Sequence, residues 1–144
     1  MKILVCGGRH FNNYSVLEYV LDNQIDSCNV YNNLEIVSGG CKGADALAIE
    51  YATRNSIPYK VFNANWTKYG RSAGPIRNKC MIDYIKTDIS VVIAFTSNKT
   101  IGTRNTIQLA RKENIPVIEI PYNITKETSE LFEGVRMDPL KNDI

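Results

Sequence analysis

The sequence predicts a single α/β domain with a Rossmann-like, doubly wound sheet of about five parallel strands flanked by helices. Two observations support this prediction. Short runs rich in β-branched residues alternate with segments of helical periodicity, a pattern typical of βαβ units and a parallel sheet. The chain has 144 residues, of which 44% are apolar, and this length and composition suit one domain with its own core.

The chain opens with a predicted strand followed by an amphipathic helix. Residues 2–6 are a short apolar run and form the first strand. Apolar side chains then recur at helical spacing over residues 15–26, which predicts the first helix. Ser15 and Glu18 have the spacing of a capping box, so we expect the helix to begin there.

Two further strands and a second helix are predicted in the middle of the chain. Residues 34–38 and 59–62 are short β-rich runs, and residues 44–55 between them place small and apolar side chains on one side of a helix. A long loop is expected over residues 63–74. Pro75 follows it and, because proline favours the first position of a helix, predicts the start of helix three.

The last third of the chain repeats the alternation. The apolar run over residues 89–95 predicts a fourth strand that is buried on both faces. A fourth helix is expected over residues 103–113 and a fifth strand over residues 116–120. These elements complete a domain over residues 1–120, and residues 121–144 are expected to form a C-terminal extension packed on or beside it.

Composition and charge exclude several classes of protein. A net charge of +2 with an ordinary apolar fraction excludes a mainly disordered chain and argues against a long nucleic acid as partner. We find neither a membrane span nor a signal peptide, so we expect a cytoplasmic protein without membrane contact. The four cysteines lack C-x-x-C spacing and His10 is the single histidine. We therefore expect reduced thiols, no metal site and no cofactor.

The loops after the first four strands form the candidate ligand site. In a doubly wound sheet, ligands bind at the carboxyl ends of the strands. Nearly all the glycines lie in these loops, where they let the backbone approach a ligand and where helix N-termini favour an anion. The candidate ligand-binding residues are Gly7, Gly8, Arg9, Gly39, Gly40, Lys42, Gly43, Asp45, Trp66, Gly74, Arg77, Asn78, Gly102 and Thr103.

Basic residues sharpen the prediction of an anion site. Arg9, Lys42, Arg77 and Arg104 lie in or near predicted first turns of helices, where the helix macrodipole disfavours positive charge. Four such bases at one rim indicate a bound phosphate or pyrophosphate. Neither the P-loop sequence nor a G-x-G-x-x-G fingerprint is present, so ordinary P-loop chemistry and a conventional dinucleotide site are not expected.

Four stretches of the chain carry a family resemblance. They are Gly7-Gly8-Arg9-x-Phe11, Gly39-Gly40-Cys41-x-Gly43-Ala44-Asp45, Ala64-x-Trp66 and Ala73-Gly74-Pro75-x-Arg77-Asn78. In this order and spacing they resemble the YspA/YpsA-related branch of the SLOG superfamily, which includes the Lonely Guy phosphoribohydrolases and the DprA/Smf DNA-processing proteins. The resemblance covers roughly residues 1–120. It implies a Rossmann-like fold, a site for a nucleoside phosphate, NAD or ADP-ribose type of ligand, and a homodimer.

The chain departs from the Lonely Guy enzymes at one position that matters for chemistry. Those enzymes share a P-G-G-x-G-T-x-x-E loop whose Glu takes part in N-glycosidic cleavage. Gly102 and Thr103 match this loop, but the Gly-Gly pair is missing and Thr106 stands in the position of the Glu. Threonine carries no negative charge to stabilise an oxocarbenium-like transition state. The phosphate-holding part therefore resembles the family, and the catalytic part does not.

Three functions remain open from the sequence. The first is a sensor or sequestering protein for a nucleotide-derived small molecule. The second is an N-glycosidic hydrolase in which Asp45, the one acid within these glycine-rich loops, is the catalytic residue. The third is a DprA-like binder of single-stranded nucleic acid. Asp45 has an alternative role as a helix N-terminal acid, and Trp66 can either stack on a base or pack over the sheet edge.

Overall fold

Residues 1–28 and 33–123 are described by the computed structural model of the chain. The strands are β1 (Lys2–Gly7), β2 (Glu35–Ser38), β3 (Tyr59–Val61), β4 (Ser90–Thr96) and β5 (Val117–Pro121). They form one parallel sheet of five strands in the order β3-β2-β1-β4-β5. The C-terminal extension was predicted over residues 121–144. Its residues 124–144 lie outside the described residues.

Helices cover both faces of the sheet. They are α1 (Tyr14–Cys28), α2 (Ala44–Arg54), α3 (Trp66–Tyr69), α4 (Ala73–Ile85) and α5 (Ile101–Lys112). Helices α1 and α2 pack in one apolar cluster, and α4 and α5 pack in a second cluster on the opposite face. This arrangement confirms the predicted doubly wound α/β fold. Within the described parts of the chain, none of the helices combines the length and apolar content that crossing a bilayer requires.

The two clusters follow directly from side-chain alternation along the central strands. In β1, Ile3 and Val5 face the α1/α2 cluster, whereas Leu4 faces the α4/α5 cluster. In β4, Ile93 and Val92 divide in the same way, and both are fully buried. A strand buried on both faces favours apolar side chains at every position, which is why residues 91–95 form a continuous apolar run.

The predicted long loop over residues 63–74 is wrong, because most of it is helical. Asn65 precedes α3, and its Oδ1 accepts a hydrogen bond from the N–H of Lys68 at 3.0 Å. A 3₁₀ turn over Gly70–Ser72 then leads into α4. Since α4 begins at Ala73, Pro75 is not its first residue. Proline is accommodated there because the amides of the first turn have no intrahelical acceptor.

The predicted starts of two other helices also need correction. The Oδ1 of Asn13 accepts from the N–H of Val16 at 3.1 Å, so Asn13 caps α1, and Ser15 lies within the helix rather than in a capping box. The fourth predicted helix, expected from residue 103, is α5 and begins at Ile101.

Candidate functional site

A cleft of about 720 Å³ opens at the carboxyl edge of the sheet, between the loops that follow β1 and β4. Strands β1, β2 and β3 follow one another towards one edge of the sheet, and β4 and β5 follow one another towards the other edge. The helices that follow β1 and β4 pack on opposite faces. The connections therefore diverge and leave a crevice, which is the place where open α/β sheets bind ligands. The fold thus places a ligand-sized cavity where the glycine-rich loops meet.

Most of the residues predicted from the sequence line this cleft. Those that line it are Gly7, Gly8, Arg9, Asp45, Trp66, Gly74, Arg77, Asn78, Gly102 and Thr103. Those outside the lining are Gly39, Gly40, Lys42 and Gly43. Lys42 is exposed. The cleft brings together residues from all four predicted loops, and their binding of a ligand stays a prediction.

Gly43 joins two of these loops instead of lining the cleft. Its φ is +82°, and an added Cβ would overlap the carbonyl oxygen of Gly8 and come within 2.7 Å of the Arg9 Cα. The same Gly8 oxygen accepts hydrogen bonds from the N–H groups of Phe11, at 3.2 Å, and Ala44, at 3.3 Å. Close contact with Gly43 therefore fixes the β1–α1 loop against the start of α2.

The charges around the cleft differ from the set predicted for the rim. Arg9 and Arg77 line the cleft, but Arg104 forms an ion pair with Glu119 at 3.0 Å and is not among the lining residues. Two cations that the sequence did not single out, Arg71 and Lys99, take part in the lining. Among the lining residues that the structure describes, these four basic side chains face one carboxylate, that of Asp45.

Arg77 is held in place by the backbone of two neighbouring segments. One terminal guanidinium nitrogen donates to the carbonyl of Gly39 at 2.7 Å and to that of Phe62 at 3.4 Å. Its Nε donates to the Oδ1 of Asn78 at 2.9 Å. These bonds fix the planar group, so less conformational freedom is lost when it meets an anion.

Asn78 links Arg77 to the start of α5. Its side chain is 4% exposed, and its amide nitrogen donates to the carbonyl of Gly102 at 3.3 Å and to the Oδ1 of Asn105 at 3.0 Å. Buried polar groups of this kind are costly unless they are paired. The observed bonds make the mutual position of α4 and α5 specific.

Asp45 is the acid of the cleft and is almost completely buried, with 6% of its surface exposed. Burial raises the pKa of its carboxyl from 3.8 to about 6, while the N–H of Cys41 and the guanidinium groups of Arg77 and Arg9 oppose that rise. The N–H of Cys41 donates to the Asp45 Oδ2 at 3.2 Å. At neutral pH the carboxylate can accept hydrogen bonds from sugar hydroxyls or take a proton from water.

The N-terminus of α5 opens into the same cleft. Thr100, Ile101, Gly102 and Thr103 are all lining residues, and the first turn of the helix contains no acid. The first amides of a helix have no intrahelical acceptor and carry partial positive charge. This end of the cleft is therefore suited to an oxyanion.

Aromatic side chains lie at the mouth and at the floor of the cleft. Trp66 is 48% exposed and lies against Gly74 at the start of α4, which leaves ring surface open to a ligand. Tyr122 packs edge-on against Phe11 with ring centroids 5.1 Å apart, and Phe11 stacks on Phe95 at 4.4 Å. The Tyr122 hydroxyl comes to lie over Gly8.

Several lining residues were missed by reasoning from the sequence. They are Cys6, His10, Cys41, Arg71, Pro75, Met81, Ser97, Lys99, Thr100, Ile101, Asn105, Thr106 and Tyr122. For some of them, the position in the sequence indicated a place in the cleft, because His10 follows Arg9 and residues 97–101 follow a strand. For Tyr122 no such signal exists, since it lies beyond the last strand and reaches back over the first loop.

Comparison with a family model confirms the resemblance suggested by the sequence. Residues 1–69 match the model of the YspA, cpYpsA-related SLOG family. The chain is also similar to the Gene 61 protein of Mycobacterium phage D29, with 27% identity over 122 residues that cover 81% of this chain and 94% of that protein.

Two solved structures share the fold. DNA processing protein A of Streptococcus pneumoniae superposes with a TM-score of 0.65 and 20% identity, covering 90% of this chain and 53% of that chain. DNA processing protein A of Helicobacter pylori, whose structure addresses its binding of single-stranded DNA, gives a TM-score of 0.62 and 20% identity over 96% of this chain and 74% of that chain. This chain spans about half of the S. pneumoniae protein, and at this identity the likeness shows the fold.

Proposed function

Starting from the SLOG family match, we propose that this protein binds a nucleotide-derived small molecule, such as a nucleoside phosphate, NAD or ADP-ribose, as a sensor or sequestering protein. The observation that carries the proposal is the charge of the cleft, where four basic side chains accompany a single carboxylate among the described lining residues. The N-terminus of α5 adds partial positive charge at the same place. An anionic ligand would balance this excess of positive charge.

The other parts of a nucleotide have matching groups in the cleft. The volume of about 720 Å³ lies in the range of sites for small molecules and cofactors. In our proposal the phosphate lies near Arg9, Arg77 and the α5 N-terminus, a ribose hydroxyl donates to Asp45, and the base stacks on Trp66. The homodimer and the cytoplasmic location expected from the sequence are part of the same proposal.

A second candidate function is hydrolysis of an N-glycosidic bond. Water would add across the bond between the sugar C1′ and the base nitrogen, so that the sugar gains a hydroxyl and the base leaves with a proton. The observation that favours this function is the buried Asp45 carboxylate, with its pKa raised to about 6, in a cleft suited to phosphate. A carboxylate with such a pKa can accept a proton from the attacking water.

One experiment separates these functions. The purified protein is incubated with nucleoside monophosphates, NAD, ADP-ribose and a short single-stranded oligonucleotide, and its melting temperature and the release of free base are followed together. Stabilisation without base release supports the binding protein. Base release that Asp45→Asn abolishes supports the hydrolase. Oligonucleotide binding with a steep salt dependence, without stabilisation by any small ligand, contradicts both and favours the DprA-like alternative.

We expect Arg77→Ala to weaken binding of the best nucleotide by about 2 kcal/mol or more, because a buried phosphate loses a charge-assisted hydrogen bond. Isothermal titration calorimetry measures the change. Lys79→Ala is the matched control, since Lys79 lies on the same helix but pairs with Asp83 on the surface. Arg77→Lys tests the contribution of the planar guanidinium, because lysine keeps the positive charge but lacks the guanidinium's fixed arrangement of N–H donors. Unchanged affinity in Arg77→Ala contradicts the assignment.

A further inference from the structure

The hydrogen bonds around Asn78 determine which end of its amide points in which direction. The Arg77 Nε can only donate, so the atom of Asn78 that receives it, at 2.9 Å, must be the oxygen. The nitrogen of Asn78 therefore points to α5, where the Gly102 carbonyl at 3.3 Å is an acceptor only. Exchange of the oxygen and the nitrogen would break both bonds.

The orientation of Asn78 is passed on to Asn105. Because the Asn78 nitrogen donates to Asn105 at 3.0 Å, the atom of Asn105 that receives it is its oxygen. The Asn105 oxygen is thereby engaged, and its amide nitrogen is the atom left for another partner. Asn105 lines the cleft, two positions along α5 from Thr103 and its neighbouring first-turn amides.

We propose that Asn105 is a specificity-determining residue whose amide nitrogen donates to the anionic group of the ligand, and that Asn78 acts as a positioning residue by fixing that orientation. The inference rests on the proposed nucleotide site and deepens it. Arg77, the Asn105 nitrogen and the α5 amides are all donors, and they lie at the same end of the cleft. Several donors together favour a group that accepts several hydrogen bonds, and a phosphate dianion, which only accepts, fits them better than a protonated amine, which only donates.

The test uses the full chain and two probes, 5′-AMP and inorganic phosphate. Asn105→Asp replaces the donor with an acceptor of almost the same shape, and we expect about tenfold or greater loss of affinity for 5′-AMP. Gln108→Glu is the matched control, because it makes the same chemical change at an exposed position of α5 outside the cleft lining. We expect it to keep most of the affinity. Wild-type affinity in Asn105→Asp overturns the proposal.

Asn78→Asp tests the positioning role separately. Aspartate has no hydrogen to donate, so the Asn105 amide must turn its nitrogen towards residue 78 and its oxygen towards the cleft. We expect affinity for 5′-AMP to fall although residue 105 is still asparagine. The double variant with Asn105→Asp is expected to bind more tightly than the product of the two single effects predicts, because both changes act through the group at residue 105. Retained affinity in folded Asn78→Asp, as judged by circular dichroism, overturns the positioning role.

Nuclear magnetic resonance distinguishes failure of this inference from failure of the proposed function. In protein labelled with ¹⁵N, inorganic phosphate is expected to shift the side-chain amide signals of Asn105, which are assigned by their loss in Asn105→Asp. If no nucleotide binds, the proposed function fails, and the phosphate titration still decides the role of Asn105. An Asn105 signal that does not move at phosphate concentrations that shift the first-turn amides of α5, or an absence of any shift, overturns the inference.

Discussion

Gly43→Ala is expected to destabilise the fold by about 3 kcal/mol or more. The Gly43 backbone has φ +82° and ψ −132°, a region that side chains other than glycine enter at a cost of about 1–3 kcal/mol. The new Cβ would also overlap the Gly8 carbonyl oxygen and approach the Arg9 Cα to 2.7 Å. These are backbone atoms that cannot rotate away, so the β1–α1 loop must move, at a further cost of about 1–3 kcal/mol.

Urea denaturation, followed by circular dichroism, measures this change in the free energy of unfolding. Gly102→Ala is the matched control, because a Cβ at Gly102 meets no atom within 4 Å and alanine favours the helical conformation of α5. We expect the control to leave stability unchanged or slightly increased. A Gly43→Ala protein as stable as the control would show that the two loops are not locked together at this point.

The fold was predictable because it depends on patterns within short segments. The run over residues 91–95 is apolar throughout, since Ile93 and Val92 face opposite cores, and a parallel sheet buries both faces. The parallel pairing of the strands follows from helices long enough to cross over between parallel neighbours. The helix starts were less predictable because local hydrogen bonds set them, as the caps by Asn13 and Asn65 show.

The location of the candidate cleft was also predictable, but the exact set of residues that line it was not. Glycines at the strand ends indicated the cleft edge, since carboxyl ends of parallel strands meet there. Whether a basic side chain faces the cleft depends on its tertiary partners, and the spacing of residues in the sequence does not determine these. Arg104 turns to Glu119, a residue of β5, whereas Arg71 lies in a 3₁₀ turn predicted as loop. Asn105 and Tyr122 likewise acquire their positions from elements that are distant in sequence.

Asp45→Asn is expected to stabilise the protein above pH 6 and to leave its stability nearly unchanged below pH 4. The carboxyl has a pKa of about 6 in the folded chain, raised chiefly by burial from its ordinary value of 3.8. Between these values the folded chain holds a proton that the unfolded chain has lost, so the free energy of unfolding falls as pH rises. The accumulated cost reaches up to about 3 kcal/mol above pH 6. Asparagine keeps an oxygen for the N–H of Cys41 and removes the buried charge.

Urea denaturation of wild type and Asp45→Asn at a series of pH values measures the difference directly, and other titrating groups largely cancel in it. Asp83→Asn is a control of opposite sign, because Lys86 and Lys79 hold the pKa of the Asp83 carboxyl below its usual value. That carboxylate stabilises the fold once ionised, so its loss is expected to cost stability as pH rises. If the Asp45→Asn difference does not grow between pH 4 and 6, the carboxyl is already ionised at low pH. The basic side chains of the cleft would then outweigh the burial of Asp45, and an anionic ligand that neutralises them would have to raise the pKa of the Asp45 carboxyl on binding.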